Sequence, residues 1–181
     1  MKKVLIIFLV IICIGIAFYF VFVQKKDISY NSNMIIESSA FEYGKGIPEK
    51  YTCDGKGINP SLVFKDVPKE AKSLALISDD PDAPNGTWDH WVLWNIPPET
   101  TEILENSIPN GAVVGKNSWP VNANKYGAPC PPSGSHRYFF KLYALNTILN
   151  LSINSTSQDL MNAMQDYILA EAELMGRYQR K

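Results

Sequence analysis

From Met34 to about Leu151 the chain is a succession of short β-like runs, each cut off by Gly, Pro, Asn or Asp, and this punctuation constrains the fold more than any other feature. The runs are Met34 to Glu37, Ser61 to Phe64, Ser73 to Ser78, His90 to Ile96 and His136 to Leu145. No helical pattern alternates with them, so a mainly β sandwich is favoured over a parallel α/β sheet. Twelve prolines and eleven glycines supply the turns such a fold needs. No repeat with a period of about 20 to 50 residues is present.

The tail changes period. Leu160, Met164, Tyr167, Ile168, Leu174, Met175 and Tyr178 recur at three- and four-residue steps, behind Thr156 or Ser157 as N-cap and Asp159 in the first turn. This predicts one C-terminal amphipathic helix, roughly Gln158 to Tyr178, packed on the sheet.

The other end is apolar. After Met1-Lys2-Lys3 come about 20 uninterrupted apolar residues, Val4 to Val23, a length matched to a bilayer core. A cleaved secretory signal ends its shorter apolar region in small residues, whereas this one ends in Tyr19-Phe20-Val21-Phe22-Val23. The segment therefore reads as a separate N-terminal transmembrane helix within an anchor at 1–26, followed by a polar linker at 27–33 and a single domain at 34–181. The expected localisation is single-pass membrane with the domain outside the cytoplasm, or secreted if the segment is cleaved. The formal charge of -1 is well mixed along the chain, so nucleic acid is not an expected partner.

The only two histidines, His90 and His136, each open an apolar strand directly after a proline-bearing loop. In HWVLWNI, simple alternation sets His90, Val92, Trp94 and Ile96 against Trp91, Leu93 and Asn95, so the strand reads as central. In HRYFFKLYAL it sets His136, Tyr138, Phe140, Leu142 and Ala144 against Arg137, Phe139, Lys141, Tyr143 and Leu145. If the two strands run in the same direction, both imidazoles reach one rim of the sheet, together with Asp80, Asp82 and the Tyr138 hydroxyl. Pro81, Pro84, Pro129, Pro131 and Pro132 would stiffen the lining loops without offering donors.

Several chemistries could use this set. A metal site lacks close histidine spacing, and no metal or cofactor is expected. A hydrolase could draw on Cys130 with His136, or on Ser133 or Ser135, but prolines flank Cys130 where an oxyanion hole would want N–H groups, and no nucleophile elbow frames the serines. A small anion site fits the donors better, with the aspartates orienting the imidazoles and raising their pKa. Histidines and aspartates at strand starts also serve simply as turn caps; their recurrence in two proline-rich contexts favours a functional role.

At these residues the chain resembles the phosphatidylethanolamine-binding protein family, in its prokaryotic Raf kinase inhibitor-like branch. SLALISDDPDAPNGTWDHWVLWNIPP is similar to the family's first signature, and YGAPCPPSGSHRYFFKLYAL to its second. The resemblance extends over about Ile35 to Arg180. It implies the family's β-sandwich of two antiparallel or mixed sheets and a ligand pocket formed by Asp80, Asp82, Pro84, Trp88, His90, Tyr126, Cys130, His136 and Tyr138. It also brings the loops of Cys53 and Cys130 together, so that a disulfide between them is expected. Asp89 departs from the histidine that animal members carry at this place, and GAPC replaces their glycine-rich approach to the pocket. The function implied is a non-enzymatic binding protein for a small anion or phospholipid headgroup, and the chain's own apolar run adds the expectation of a membrane anchor, which is uncommon in the family. The alternatives are a serine protease or kinase inhibitor acting through an exposed loop and, third, a hydrolase using Cys130 and His136.

Overall fold

The computed structural model describes residues 33–121 and 123–181. The proposed anchor lies outside them, as does nearly all of the linker. Among the described residues no helix is long and apolar enough to cross a membrane.

Three layers build the domain. A small antiparallel sheet runs in the order β1 (Ile35–Glu37), β2 (Leu62–Lys65), β5 (Glu102–Ile103). A larger antiparallel sheet has the order β6 (Val113–Val114), β4 (Trp88–Ile96), β3 (Ser73–Asp80), β7 (Ser135–Leu145), β8 (Ile168–Gln179). The two sheets enclose the main core, in which Ile36, Leu62, Phe64 and Ile103 meet Leu74, Leu76, Trp91, Leu93, Phe140 and Leu142. A short helix, α1 (Ser157–Met164), covers the other face of the large sheet, where Leu160 and Met164 pack with Ala75, Ile77, Val92 and Trp94. Every residue of β3 is buried, because both of its faces are covered.

The tail departs from the helix expected over Gln158 to Tyr178. Thr156 caps α1 through a capping box with Asp159, as the sequence indicates, but the helix stops at Met164 and a single 3-10 turn leads into β8. Residues 170 to 179 of this strand pair with 135 to 144 of β7 without interruption. Ala170-Glu171-Ala172-Glu173-Leu174 combines strong helix formers with a period of two, and the ladder decides between them. One inward position, between Leu174 and Tyr178, has no room for a side chain. A Cβ at Gly176 would lie 2.5 Å from a carbon of Ile47 and 2.7 Å from one of Phe41.

Strand β4 also departs from simple alternation, and here the departure shapes the candidate site. Leu74 pairs with Ile96 and Leu76 with Leu93, so Ala75 faces two residues, Trp94 and Asn95, and Asn95 takes a positive φ of 54°. Ser78 pairs with Trp91 but Asp79 with Asp89, which leaves His90 as an extra residue. Each bulge exchanges the faces of whatever follows it. Consequently Trp91, Leu93 and Ile96 share the inner core while Val92 and Trp94 lie under α1.

Candidate ligand-binding site

Both β4 and β7 pair antiparallel with β3, so they run in the same direction on either side of it and bring their first residues to one rim. Unbroken alternation from Trp91 would send His90 outward; the bulge turns it inward instead. There its ring meets Trp119 edge-on at 5.1 Å and Tyr138 edge-on at 5.2 Å between centroids. A cavity of about 330 Å3 opens at this point, walled by Pro84, Trp88, Trp119, Cys130 and Pro132 with Asp80 and His90 among its lining.

The two histidines are held differently. His90 is 3 % exposed, and its Nδ1 lies 2.6 Å from the carbonyl oxygen of Gly127, which fixes the proton on that nitrogen in the neutral ring. Burial lowers its pKa to about 4. That reverses the expectation that nearby aspartates raise it: Asp80 acts in the expected direction, but loss of hydration outweighs it. Near neutral pH His90 is therefore uncharged, with Nε2 as its lone-pair nitrogen. His136 makes a direct pair with Asp80, Nδ1 to Oδ2 at 2.8 Å, and both side chains are buried. Asp80 is itself oriented, because its Oδ1 accepts the backbone N–H of Asp82 at 2.9 Å.

Tyr138 stacks at 6.5 Å from His136, and its buried hydroxyl lies beside the Asp80 carboxylate without a well-aligned hydrogen bond among the described residues. Burial first, then the Asp80 charge, pushes this phenol far above its ordinary pKa, so it stays a neutral donor.

Not every expected residue faces the cavity. Asp82 turns aside to clamp Arg137 through both carboxylate oxygens, at 2.9 and 2.6 Å, and also accepts the Arg137 backbone N–H. These bonds hold its pKa down to about 2. Tyr126 packs edge-on against Trp91 and donates its hydroxyl to the Tyr51 carbonyl at 3.3 Å, away from the cavity lining. His136 and Tyr138 stand behind Asp80 and His90, outside the lining itself. Cys130 lines the cavity and is bonded to Cys53 across 77 residues of chain, with their Cα atoms 5.3 Å apart.

A family model for phosphatidylethanolamine-binding protein matches residues 37–179. The chain belongs to the phosphatidylethanolamine-binding protein family. A UPF0098 protein of Methanothermobacter thermautotrophicus is 49% identical over 152 residues, covering 81% of this chain and 99% of the relative. Another, from Chlamydia trachomatis, is 44% identical over the same length, with the same coverage of both chains. Among solved structures, a phosphatidylethanolamine-binding protein homolog from C. trachomatis superposes with a TM-score of 0.78 at 44% identity, covering 83% of this chain and 99% of that one. E. coli YbcL, described as a member of the mammalian PEBP family, superposes at 0.75 with 29% identity, covering 83% and 100%.

In this family's fold, sequence reading missed Ala83, Asn85 and Trp119 along the cavity, of which Trp119 is the large wall residue. It follows a segment without strand periodicity, and nothing in its own neighbourhood signals a site. The signal lies in Gly127, where a Cβ would come within 2.3 Å of the Trp119 ring: the glycine lets the indole close the wall while its carbonyl fixes His90.

Proposed function

We propose that the domain binds a small anion, a phosphate monoester or the phosphate of a phospholipid headgroup, in the cavity between β4 and β7, and that it holds this ligand without turning it over. The observation that carries the reading is the convergence on one cavity of Asp80 and His90, from two strands, with His136 held on Asp80 directly behind. Apolar walls keep water from competing, which strengthens each charge-assisted hydrogen bond made inside. A cavity of about 330 Å3 is ample for a headgroup. Asp80 alone would repel an anion, so its part is to position the His136 ring through the bond to Nδ1. Binding rather than hydrolysis is supported by Cys130, whose sulfur is tied to Cys53 and cannot serve as a thiolate nucleophile.

The apolar run Val4 to Val23 supports a place at a membrane, and the disulfide supports an oxidising, extracytoplasmic side. The chain is expected to stay with membranes through carbonate extraction; full release would remove the anchor from this reading.

For ligand binding, the full chain in nonionic detergent is titrated with sulfate and with O-phosphoethanolamine while tryptophan emission is followed, since Trp88 and Trp119 wall the cavity. His136→Ala is expected to weaken both ligands about tenfold or more, and His90→Ala to weaken O-phosphoethanolamine by a similar factor, since the neutral ring offers Nε2 as an acceptor for that ligand's ammonium. Unchanged affinity in both variants would sink the proposal.

A further inference from the structure

The same bulge that turns His90 inward turns Asp89 outward, directly opposite Asp79 on the neighbouring strand. Helix α1 covers only part of this outer face. At the rim it leaves a groove of about 360 Å3, whose lining includes Asp79, Asp89, Lys141, Tyr143, Gln158 and Met161. The Asp79 side chain is 7% exposed; its Oδ2 holds the Lys141 ammonium at 2.6 Å, while its Oδ1 is buried with no partner among the described residues. Asp89 is half-buried and gives one oxygen, Oδ2, to the Ser157 hydroxyl.

Two carboxylates directly across a strand pair repel one another, and a single lysine leaves the pair one positive charge short. A buried carboxylate oxygen without a donor is expensive. Burial, ahead of every other cause, holds both carboxyl groups above their ordinary pKa.

We propose that this groove is a second ligand site, on the opposite face of the sheet from the histidine cavity, and that it takes an alkylammonium group whose N–H donors meet Asp79 Oδ1 and Asp89. Its methylenes would lie along Tyr143 and Met161. An anion is opposed by the two carboxylates, and a divalent metal by the fixed Lys141 charge and by the lack of any grouping of three metal-ligating side chains among the described residues. The groove also has a direction. Lys141 and Tyr143 are shared with an adjoining recess that carries Glu171 and Glu173 on β8, two strand spacings from β3, or about 10 Å. A second ammonium on the same aliphatic chain reaches those carboxylates. The occupant is thus a linear polyamine of about spermidine length. A lone lysine side chain from another protein offers the first ammonium only.

The test is calorimetric titration of the full chain in nonionic detergent at low salt, with n-butylamine as the lysine-like probe and spermidine as the polyamine. Butylamine should bind saturably at about millimolar concentration, and spermidine about tenfold tighter. Equal molar affinity for the two would exclude the polyamine and overturn the assignment. Asp89→Asn removes one carboxylate at constant shape and should weaken both ligands about tenfold. Because Asp89 is half-buried, a second variant guards against a folding defect. Gln158 is exposed on the first turn of α1, so Gln158→Lys places a tethered ammonium at the groove and should displace both probes to a similar extent. Unchanged affinity in Gln158→Lys overturns the proposal whatever Asp89→Asn does, as does heat that sodium at matched ionic strength reproduces. The inference stands independently of the histidine cavity: His90→Ala should leave amine binding intact.

Discussion

Strands β4 and β7 look alike in the sequence, each a histidine followed by aromatic and aliphatic residues, yet they place their histidines by different means. Strand β7 keeps strict alternation, so His136 lies inward simply because Tyr138, Phe140, Leu142 and Ala144 do. Strand β4 carries two bulges, and His90 lies inward only because the second one inserts it as an extra residue. Their partners differ in kind as well. His136 meets a side-chain carboxylate from the central strand, whereas His90 leans on a carbonyl in a loop. A site residue placed by an unbroken ladder inherits the ladder's stability, while one placed by a bulge depends on whatever holds the neighbouring loop.

That dependence gives the largest expected effect. The loop that carries the Gly127 carbonyl is held by the Cys53–Cys130 bond and by Cys53 N–H donating to the Pro129 carbonyl at 3.0 Å. Opening a bridge that spans 77 residues should cost about 4 kcal/mol on chain entropy alone. The Cys53→Ala, Cys130→Ala double variant is expected to lower the urea midpoint accordingly. It should also speed amide exchange around His90 more than around His136. Equal acceleration at the two histidines would mean that the loop does not hold β4, and the contrast would collapse.

Acid separates the two next. The folded-state pKa of His90 is depressed to about 4, against about 6.5 for an unfolded chain, so the unfolded state takes up this proton first as pH falls. Stability contributed by neutral His90 is therefore full above about pH 6.5 and is lost progressively as pH falls to about 4, by about 3 kcal/mol in all. Asp79 and Asp89, whose carboxyls are raised, act with the opposite sign and offset part of the loss. Urea unfolding of His90→Gln across this window should show a correspondingly shallower fall. A profile identical to the parent would show that the buried imidazole is not the group titrating.

How much of this was legible follows from the same contrast. The five longer runs between Met34 and Leu145 emerge as strands, because their bounds are set by local turn residues. The two-residue strands β5 and β6 carry no pattern to detect. Strand β8 was unreadable for a different reason: Ala170 to Met175 is composed of good helix formers, and only the waiting edge of β7 makes them extended. At the site, Asp80, Pro84, Trp88, His90 and Cys130 line one cavity. The inward turn of His90 was not readable in this way, because strict alternation ties His90 to Val92 and Trp94, and the structure separates them. Bulges depend on cross-strand count, which a single sequence does not display. Asp82 was drawn away by Arg137, a neighbour on the motif whose charge made the stronger claim.

The smallest expected effect tests the first bulge of β4, the one far from the cavity. Asn95 sits there with φ 54°, and its side chain makes a reciprocal pair with the backbone of Leu149: Nδ2 donates to the carbonyl and Oδ1 accepts the N–H, both at 2.9 Å. Asparagine tolerates a left-handed backbone better than most residues, and this one also closes the start of the loop that leads to α1. Asn95→Ala removes both hydrogen bonds and leaves a residue less suited to positive φ, so a loss of about 2 kcal/mol is expected. Asn95→Gly relieves the backbone but not the lost bonds, and should recover about half. If the bulge serves only to switch Ile96 into the core, both variants will keep the parent's affinity for O-phosphoethanolamine, because the second bulge resets the face before His90. An affinity that falls in step with stability would mean that the two bulges act as one unit and that β4 positions its histidine along its whole length.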